Sequence, residues 1–300
     1  AELAAVCERF GFDGIDLDFE GINRTARDAY TVFVRKLAAT LHGMARPRRL
    51  AVTVQDFPSA EDEASMAFDY AALGAAADEV RVMCYDYSYD KPGPLMPRQW
   101  YCDILSFAGS RIPPGKFIAA LPWYGRDWTG GGPEHEDLLH GQIEARTGIA
   151  GYLELLARHG ATPSWDEEGG EYWFAYEREG KRHTVWMPEH RKFAWMAEAA
   201  VAAGAAGLYV WHLAYTDPAS WEVVRAVLEE CVRLRDEEVS PLELEKVKEG
   251  LAGRMVLRLE TSDELASFFG GDEVTTGDAR SPEEILKNLR AVTAGEVQSV

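Results

Sequence analysis

Cysteine is scarce in this chain of 300 residues: Cys7, Cys84, Cys102 and Cys231 are the four present, and no two form a CxxC pair. That excludes a disulfide-stapled scaffold and a cysteine-rich zinc site. Basic residues are also in deficit, with 31 Lys and Arg against 50 Asp and Glu and a net charge of −19. A binder of phosphate backbones needs clustered Lys and Arg, so no nucleic-acid partner is expected. Long apolar runs are missing. The longest uncharged stretch, residues 199–216, contains Gly204, Gly207 and His212 and is rich in Ala, so it reads as a buried helix, turn and strand and no membrane span is expected. There is no initial Met and no charged and apolar leader pattern. Either a signal was removed or the start of the gene is absent, and the compartment is not legible at this end. Tryptophan is missing after Trp221, although nine occur before residue 222.

What remains is an ordinary globular composition, 47% hydrophobic and 27% charged, enough for one large domain or two modest ones. Helical spacing is legible at 2–10, 26–43, 70–77, 100–108, 190–203 and 221–232. Short β-branched or apolar runs at 12–20, 50–54, 80–85, 117–121 and 207–211 read as strands. Strands alternating with helices predict βα units and a parallel sheet. A closed eight-stranded α/β barrel takes about 250 residues and carries its chemistry at the C-terminal strand ends. Five units cannot close one. The expected fold is a partial (β/α)8 TIM barrel, its last five strands, occupying 1–235 with an α+β subdomain inserted at about 129–187. A mostly helical C-terminal fragment follows at 237–300. Ser240-Pro241, Ser281-Pro282 and Thr293 each start a helix signature, with a hydroxyl at the N-cap and Glu243, Glu284 or Glu296 three residues on.

The chemistry concentrates in Asp13-Gly14-Ile15-Asp16-Leu17-Asp18-Phe19-Glu20. A strand alternates faces, so Asp16, Asp18 and Glu20 share one face, about 6.6 Å apart, and Ile15, Leu17 and Phe19 share the other. Carboxylates that close inside a protein do not all ionise near neutrality. One held protonated at a strand's C-terminal end is what a general acid requires. On spacing alone, the same pattern also describes an edge strand with a solvated acidic face.

Asp13-x-x-Asp16-x-Asp18-x-Glu20 resembles the DxxDxDxE signature of glycoside hydrolase family 18, the chitinase-like enzymes. Later segments follow in the family's order. Met83-Cys84-Tyr85-Asp86 resembles its sixth-strand Met-x-Tyr-Asp, Pro122-Trp123-Tyr124-Gly125-Arg126 its seventh-strand segment, and Gly207 to Trp211 its eighth strand. Pro92-Gly93-Pro94, and Asp217-Pro218 before Trp221, are most similar to the bacterial spore-germination and cortex-lytic branch. The resemblance covers about 1–232. It implies a retaining hydrolase of β-1,4-linked N-acetylglucosamine glycans, of chitin or peptidoglycan type, working by substrate-assisted catalysis. Glu20 would be the acid, Asp18 would orient the substrate's acetamido group, Asp16 would share a proton with Asp18, and Tyr85 would hydrogen-bond the acetamido group. Asp86, Tyr124 and Trp211 would contact the same sugar. Asp13, grouped with the substrate-binding set, would brace the backbone. No metal and no organic cofactor are implied, and an extracellular or cell-envelope site would follow. Each residue has an ordinary alternative: core packing for Tyr85, Tyr124 and Trp211, loop capping for Asp86. Tyr172, Trp173, Phe174 and Tyr176 read as packing of the inserted sheet, or as a groove lining.

His135-Glu136-Asp137-Leu138-Leu139-His140 imitates a zinc motif, but histidines five apart fall about 140° round a helix from each other. Asn23-Arg24-Thr25 is a glycosylation sequon only by its letters. Residues 241–298 resemble the C-terminal part of an insulinase/pitrilysin-type peptidase domain, yet the inverted HxxEH zinc motif occurs nowhere in the chain. Two partial domains suggest a reading frame cut or fused at both ends. The alternatives to an active glycosidase are a non-catalytic glycan-binding remnant and an interaction fragment of an insulinase-type metallopeptidase.

Overall fold

The computed structural model describes residues 2–138, 151–212, 236–257 and 281–298, with isolated positions 225, 229 and 233. The chain divides into two compact units, Ala1–Ser220 and Trp221–Val300.

The first unit is built on a parallel five-stranded sheet in the order β1-β2-β3-β4-β10. Its strands are β1 (Gly14–Asp18), β2 (Arg49–Gln55), β3 (Glu79–Met83), β4 (Phe117–Pro122) and β10 (Gly207–Trp211). Between them run α1 (Glu2–Phe10), α2 (Arg27–His42), α3 (Ala60–Ser65), α4 (Tyr70–Ala76), α5 (Arg98–Arg111) and α7 (His190–Ala202). α2 forms because Tyr30, Val34, Leu37 and Leu41 recur at helical spacing and all are buried. Those side chains meet Leu50, Val52, Val54, Val80, Val82, Phe117, Ala119 and Leu121, the strand residues of one sheet face, in a single core. This is the α/β arrangement expected of a partial TIM barrel, with helices covering the outer face.

The other face carries the alternate residues. Register pairs Asp16 with Ala51, Asp18 with Thr53, Thr53 with Arg81, and Gln55 with Met83. Asp16 and Asp18 are exposed and Arg81 is half-buried. β1 is shorter than the expected 12–20 and stops at Asp18. The backbone then turns at Gly21, whose φ of 66° favours glycine, so Glu20 lies beyond the strand. α3 was not expected, because Glu61-Asp62-Glu63 hides its period. It starts at the Ser59 side-chain cap, and Glu63 turns inward to accept the Tyr70 N–H at 2.8 Å.

The inserted segment is a second sheet, antiparallel, in the order β6-β5-β9-β8-β7. It comprises β5 (Gly125–Thr129), β6 (His135–Leu138), β7 (Ser164–Asp166), β8 (Glu171–Arg178) and β9 (Lys181–Met187), with α6 (Tyr152–His159) packed on it. It therefore begins at residue 125, not 129, directly after β4. A glycine is needed there: a Cβ on Gly125 would sit 2.6 Å from the Trp186 carbonyl oxygen. Phe174 and Tyr176 fill this sheet's own core, while Trp173 stacks on Trp186 at 5.9 Å on the opposite face.

In the second unit the capping signatures start α8 (Pro241–Leu257), α9 (Pro282–Ala291) and α10 (Ala294–Gln298). Ser240 and Ser281 accept the N–H of Glu243 and Glu284 at 3.2 and 3.1 Å. Thr293 and Glu296 cap reciprocally. Apart from positions 225 and 229, the expected helix at 221–232 lies outside the described residues. So do Cys231, His140 and the peptidase-like stretch at 258–262. No helix among the described residues is long and apolar enough to cross a membrane.

Candidate active site

The parallel strands deliver their C-terminal ends to one cavity of about 360 Å³. β1 brings Asp18 and, just past its end, Glu20. β2 brings Gln55 and Asp56, β3 brings Met83, Tyr85 and Asp86, and β10 brings Trp211. The inserted sheet closes one wall with Arg126 and Asp137, beside Tyr124 from the β4–β5 junction and Tyr89 from the loop after β3. This is the end of the strands at which α/β sheets place their chemistry.

Arg126 organises that wall. Its side chain is 5% exposed and holds Asp86 at 2.8 Å and Asp137 at 3.1 Å, while Nη1 donates to the Ser88 carbonyl at 3.3 Å. The guanidinium lies over the rings of Tyr89 and Tyr124, 5.0 and 5.4 Å from their centroids. The Tyr124 hydroxyl donates to the Asp86 carboxylate. Asp86 sits at a φ of 70°, uncommon for a non-glycine residue, and its position is set from both sides by Tyr124 and Arg126. Tyr85 packs edge-on against Tyr124 at 6.2 Å. Burial, then the nearby Asp86 charge, pushes both phenols well above the ordinary tyrosine range. They are hydrogen-bond donors at any working pH.

The carboxyls are differentiated by surroundings. Burial, reinforced by the Asp16 charge, raises the Asp18 pKa above the ordinary aspartate value and so favours its protonated form. Asp56 is half-buried and pushed up to about 7, first by burial and then by Asp86 and Asp62, against the pull of its own backbone N–H. Trp211 is 43% exposed and presents an apolar surface to the same space. No group of three or more His, Cys, Asp or Glu among the described residues is arranged to hold a metal ion.

Six of the eight expected site residues meet in this cavity: Glu20, Asp18, Tyr85, Asp86, Tyr124 and Trp211. Asp16 does not line it. It lies lower on the same strand face, where it accepts from the Thr53 hydroxyl at 3.0 Å and the Arg81 guanidinium at 2.8 Å. Asp13 is further still, at the strand's opposite end, paired with Arg46 and, at 4.0 Å, with Arg48. Both line a second cavity of about 290 Å³ with Arg49, Glu79 and Arg81. Asp56, Asp137 and Tyr89 were not anticipated. Asp56 carried a positional signal, since it follows a β-branched strand just as Tyr85 follows β3. Asp137 carried none, because it reaches the site only through the β5–β6 pairing, Arg126 opposite Asp137.

Comparison with known proteins gives the family and the fold. The uncharacterized glycosylase YvbX of Bacillus subtilis is 25% identical over 75% of this chain and 64% of its own length. The cortical fragment-lytic enzyme of the same species is 24% identical over 73% and 51%. The chain thus spans about half to two-thirds of these curated relatives. Among solved structures, a chitinase from Chromobacterium violaceum superposes with a TM-score of 0.66 at 33% identity, covering 75% of this chain and 69% of that one. The Bacillus cereus spore cortex-lytic enzyme SleL, at 23% identity and a TM-score of 0.63, shares the fold over 74% of this chain and half of its own. The family profile described as Glycosyl hydrolases family 18 matches residues 1–216, the stretch that carries both sheets and every residue of the cavity, and the chain belongs to that family.

Proposed function

We propose that this chain carries the catalytic site of a retaining glycoside hydrolase that cleaves β-1,4-linked N-acetylglucosamine glycans. The observation that carries the reading is the single cavity in which Glu20 and Asp18 face Tyr85, Asp86, Tyr124 and Trp211. Glu20 protonates the glycosidic oxygen as the bond to the anomeric carbon breaks. The substrate's own 2-acetamido carbonyl oxygen attacks that carbon and forms an oxazolinium ion, which water then opens with net retention. Asp18, raised by burial, orients the acetamido N–H and takes up its developing positive charge. Asp16, held by Thr53 and Arg81, sets the field under Asp18, and Asp13 braces the start of the strand. Tyr85 donates to the acetamido group, the Asp86–Tyr124 pair contacts the same sugar, and Trp211 floors the ring.

The test is release of reducing ends from chito-oligosaccharide and from N-acetylated peptidoglycan by this chain and by Glu20→Gln. Loss of the acid lowers turnover by about 10²–10⁴. Equal turnover in the two proteins, or none in either, removes the catalytic reading. The tail's resemblance to an insulinase-type peptidase fragment rests on its sequence pattern alone, and without HxxEH the tail supplies no peptidase chemistry.

A further inference from the structure

Two carboxyls that line the cavity, Asp56 and Asp137, are not used by the mechanism above, and Asp137 is already paired with Arg126. Asp56 stands at the C-terminal end of β2, between the ends of β1 and β3. It is half-buried, and among the described residues its carboxyl takes its own backbone N–H and no other hydrogen bond. A buried polar group without a partner is costly, and in an open-mouthed cavity a bound ligand can supply that partner. The rest of the wall is already engaged: Asp86 with Tyr124 and Arg126, Asp137 with Arg126. Asp56 is the group left to read something new.

We propose that Asp56 is a further sugar-contacting residue of this site, donating a hydrogen bond from its carboxyl to an uncharged acetamido sugar and disfavouring one that bears a carboxylate. This deepens the glycosidase reading and rests on it. The charges around Asp56 give the preference. Asp18 and Glu20 face it from beyond β1, Cys84, Tyr85 and Asp86 from beyond β3, Asp62 from α3 and Tyr70 from α4. Across the cavity stand Tyr124 and Asp137 and, the one cation among the described lining residues, Arg126, already paired with two carboxylates. An N-acetylglucosamine unit meets donors, acceptors and the Trp211 surface. A sugar carrying a lactyl carboxylate, as muramic acid does, meets uncompensated negative charge. The substrate class is therefore chitin-like rather than muramyl glycan.

Protonation makes the contact testable. With the Asp56 carboxyl titrating near 7, it is a donor at pH 5.5 and an anion at pH 8.5, where about one molecule in thirty keeps the proton. Calorimetric titration uses N,N′-diacetylchitobiose and the N-acetylglucosaminyl–N-acetylmuramic acid disaccharide as probes, against the unaltered chain and Asp56→Asn. The expected result is a Kd for chitobiose that rises about thirtyfold between pH 5.5 and 8.5 in the unaltered chain and less than threefold in Asp56→Asn. The muramyl disaccharide binds the unaltered chain at least tenfold more weakly than chitobiose at pH 8.5. A carboxyl-carbon NMR signal from Asp56 shifts when chitobiose is added at pH 6. The proposal is overturned if Asp56→Asn keeps the same pH step, if the Asp56 signal ignores the sugar, or if the muramyl disaccharide binds equally well. Failure of the unaltered chain to bind either sugar overturns the glycosidase reading too, and thereby separates the two.

Discussion

Removing Lys192 tests how the wall of the site is held. Lys192, on α7, and Glu171, on β8, form an ion pair with side chains 0% exposed. The ammonium also donates to the carbonyls of Met96 at 2.6 Å and Gly169 at 2.7 Å. Glu171 accepts the N–H groups of Leu95 and Met96 at 3.0 and 3.1 Å. One buried pair thus ties the loop after β3, the inserted sheet and a barrel helix together. Lys192→Met has a similar volume, so packing changes little, but it strands the Glu171 charge and two carbonyls. Breaking a buried pair by removing one partner costs about 3–5 kcal/mol. That is a large part of the roughly 5–15 kcal/mol that holds a domain together. In a unit of this size it lowers Tm by about 6–20 °C. Lys192→Met/Glu171→Gln removes the stranded charge and keeps one acceptor for the two N–H groups, so about 2 kcal/mol returns. Urea unfolding followed by tryptophan fluorescence reads all four corners of the cycle. A single variant that loses less than about 1 kcal/mol, with no recovery in the double, would refute the claim that this pair is the clasp.

Arg126→Lys keeps the charge but cannot hold two carboxylates and a carbonyl in one plane; it costs about 2–3 kcal/mol in urea unfolding and weakens chitobiose binding about tenfold. An unchanged Kd would show that the Asp86 position does not depend on Arg126. Gly125→Ala forces the β5 backbone away from the Trp186 carbonyl and costs about 1–3 kcal/mol by thermal melting, the inserted sheet losing most. Sugar binding takes up protons at Asp18. Asp18 is already raised by burial, a sugar laid over it excludes more water, and a carboxyl raised further binds more proton. The binding enthalpy therefore changes between two buffers of different ionisation enthalpy, and a zero slope contradicts the sign.

The parallel sheet was legible because its strands are short apolar runs, those of β2, β3 and β4 buried on the helix side: β10 spans the expected 207–211, and β4 extends its expected strand by one residue. Alternation also placed Asp16 and Asp18 on one face. It could not place the end of β1, which depends on the turn at Gly21, nor separate Asp16 from the cavity, which depends on Arg81 reaching from β3 across β2. The inserted sheet began earlier than expected because Gly-Arg-Asp-Trp-Thr reads locally as the tail of β4, and only its antiparallel pairing with β6 and β9 makes it a new strand. Asp137 acquires meaning only through Arg126, paired opposite it across β5 and β6, so no local pattern marks it, whereas the place of Asp56 just past β2 was a local signal left unread.

The two halves of the site are supported differently, and this orders how it fails. Asp86, Tyr89, Tyr124, Arg126 and Asp137 are tied to one another, to the inserted sheet and, through the loop, to the Lys192–Glu171 pair. Asp18 ends β1, which among the described residues is hydrogen-bonded to β2 alone, and Glu20 lies past the last strand residue. What steadies that end is the Phe19 ring, 47% exposed, stacked on Phe33 and tilted against Tyr30 at about 6 Å. Edge strands open at lower free energy than central ones. Loosening this unit therefore displaces Glu20 before it disturbs the wall around Arg126. Phe19→Ala should cut turnover far more than chitobiose affinity, and a variant that lost both in proportion would mean that the two halves move as one.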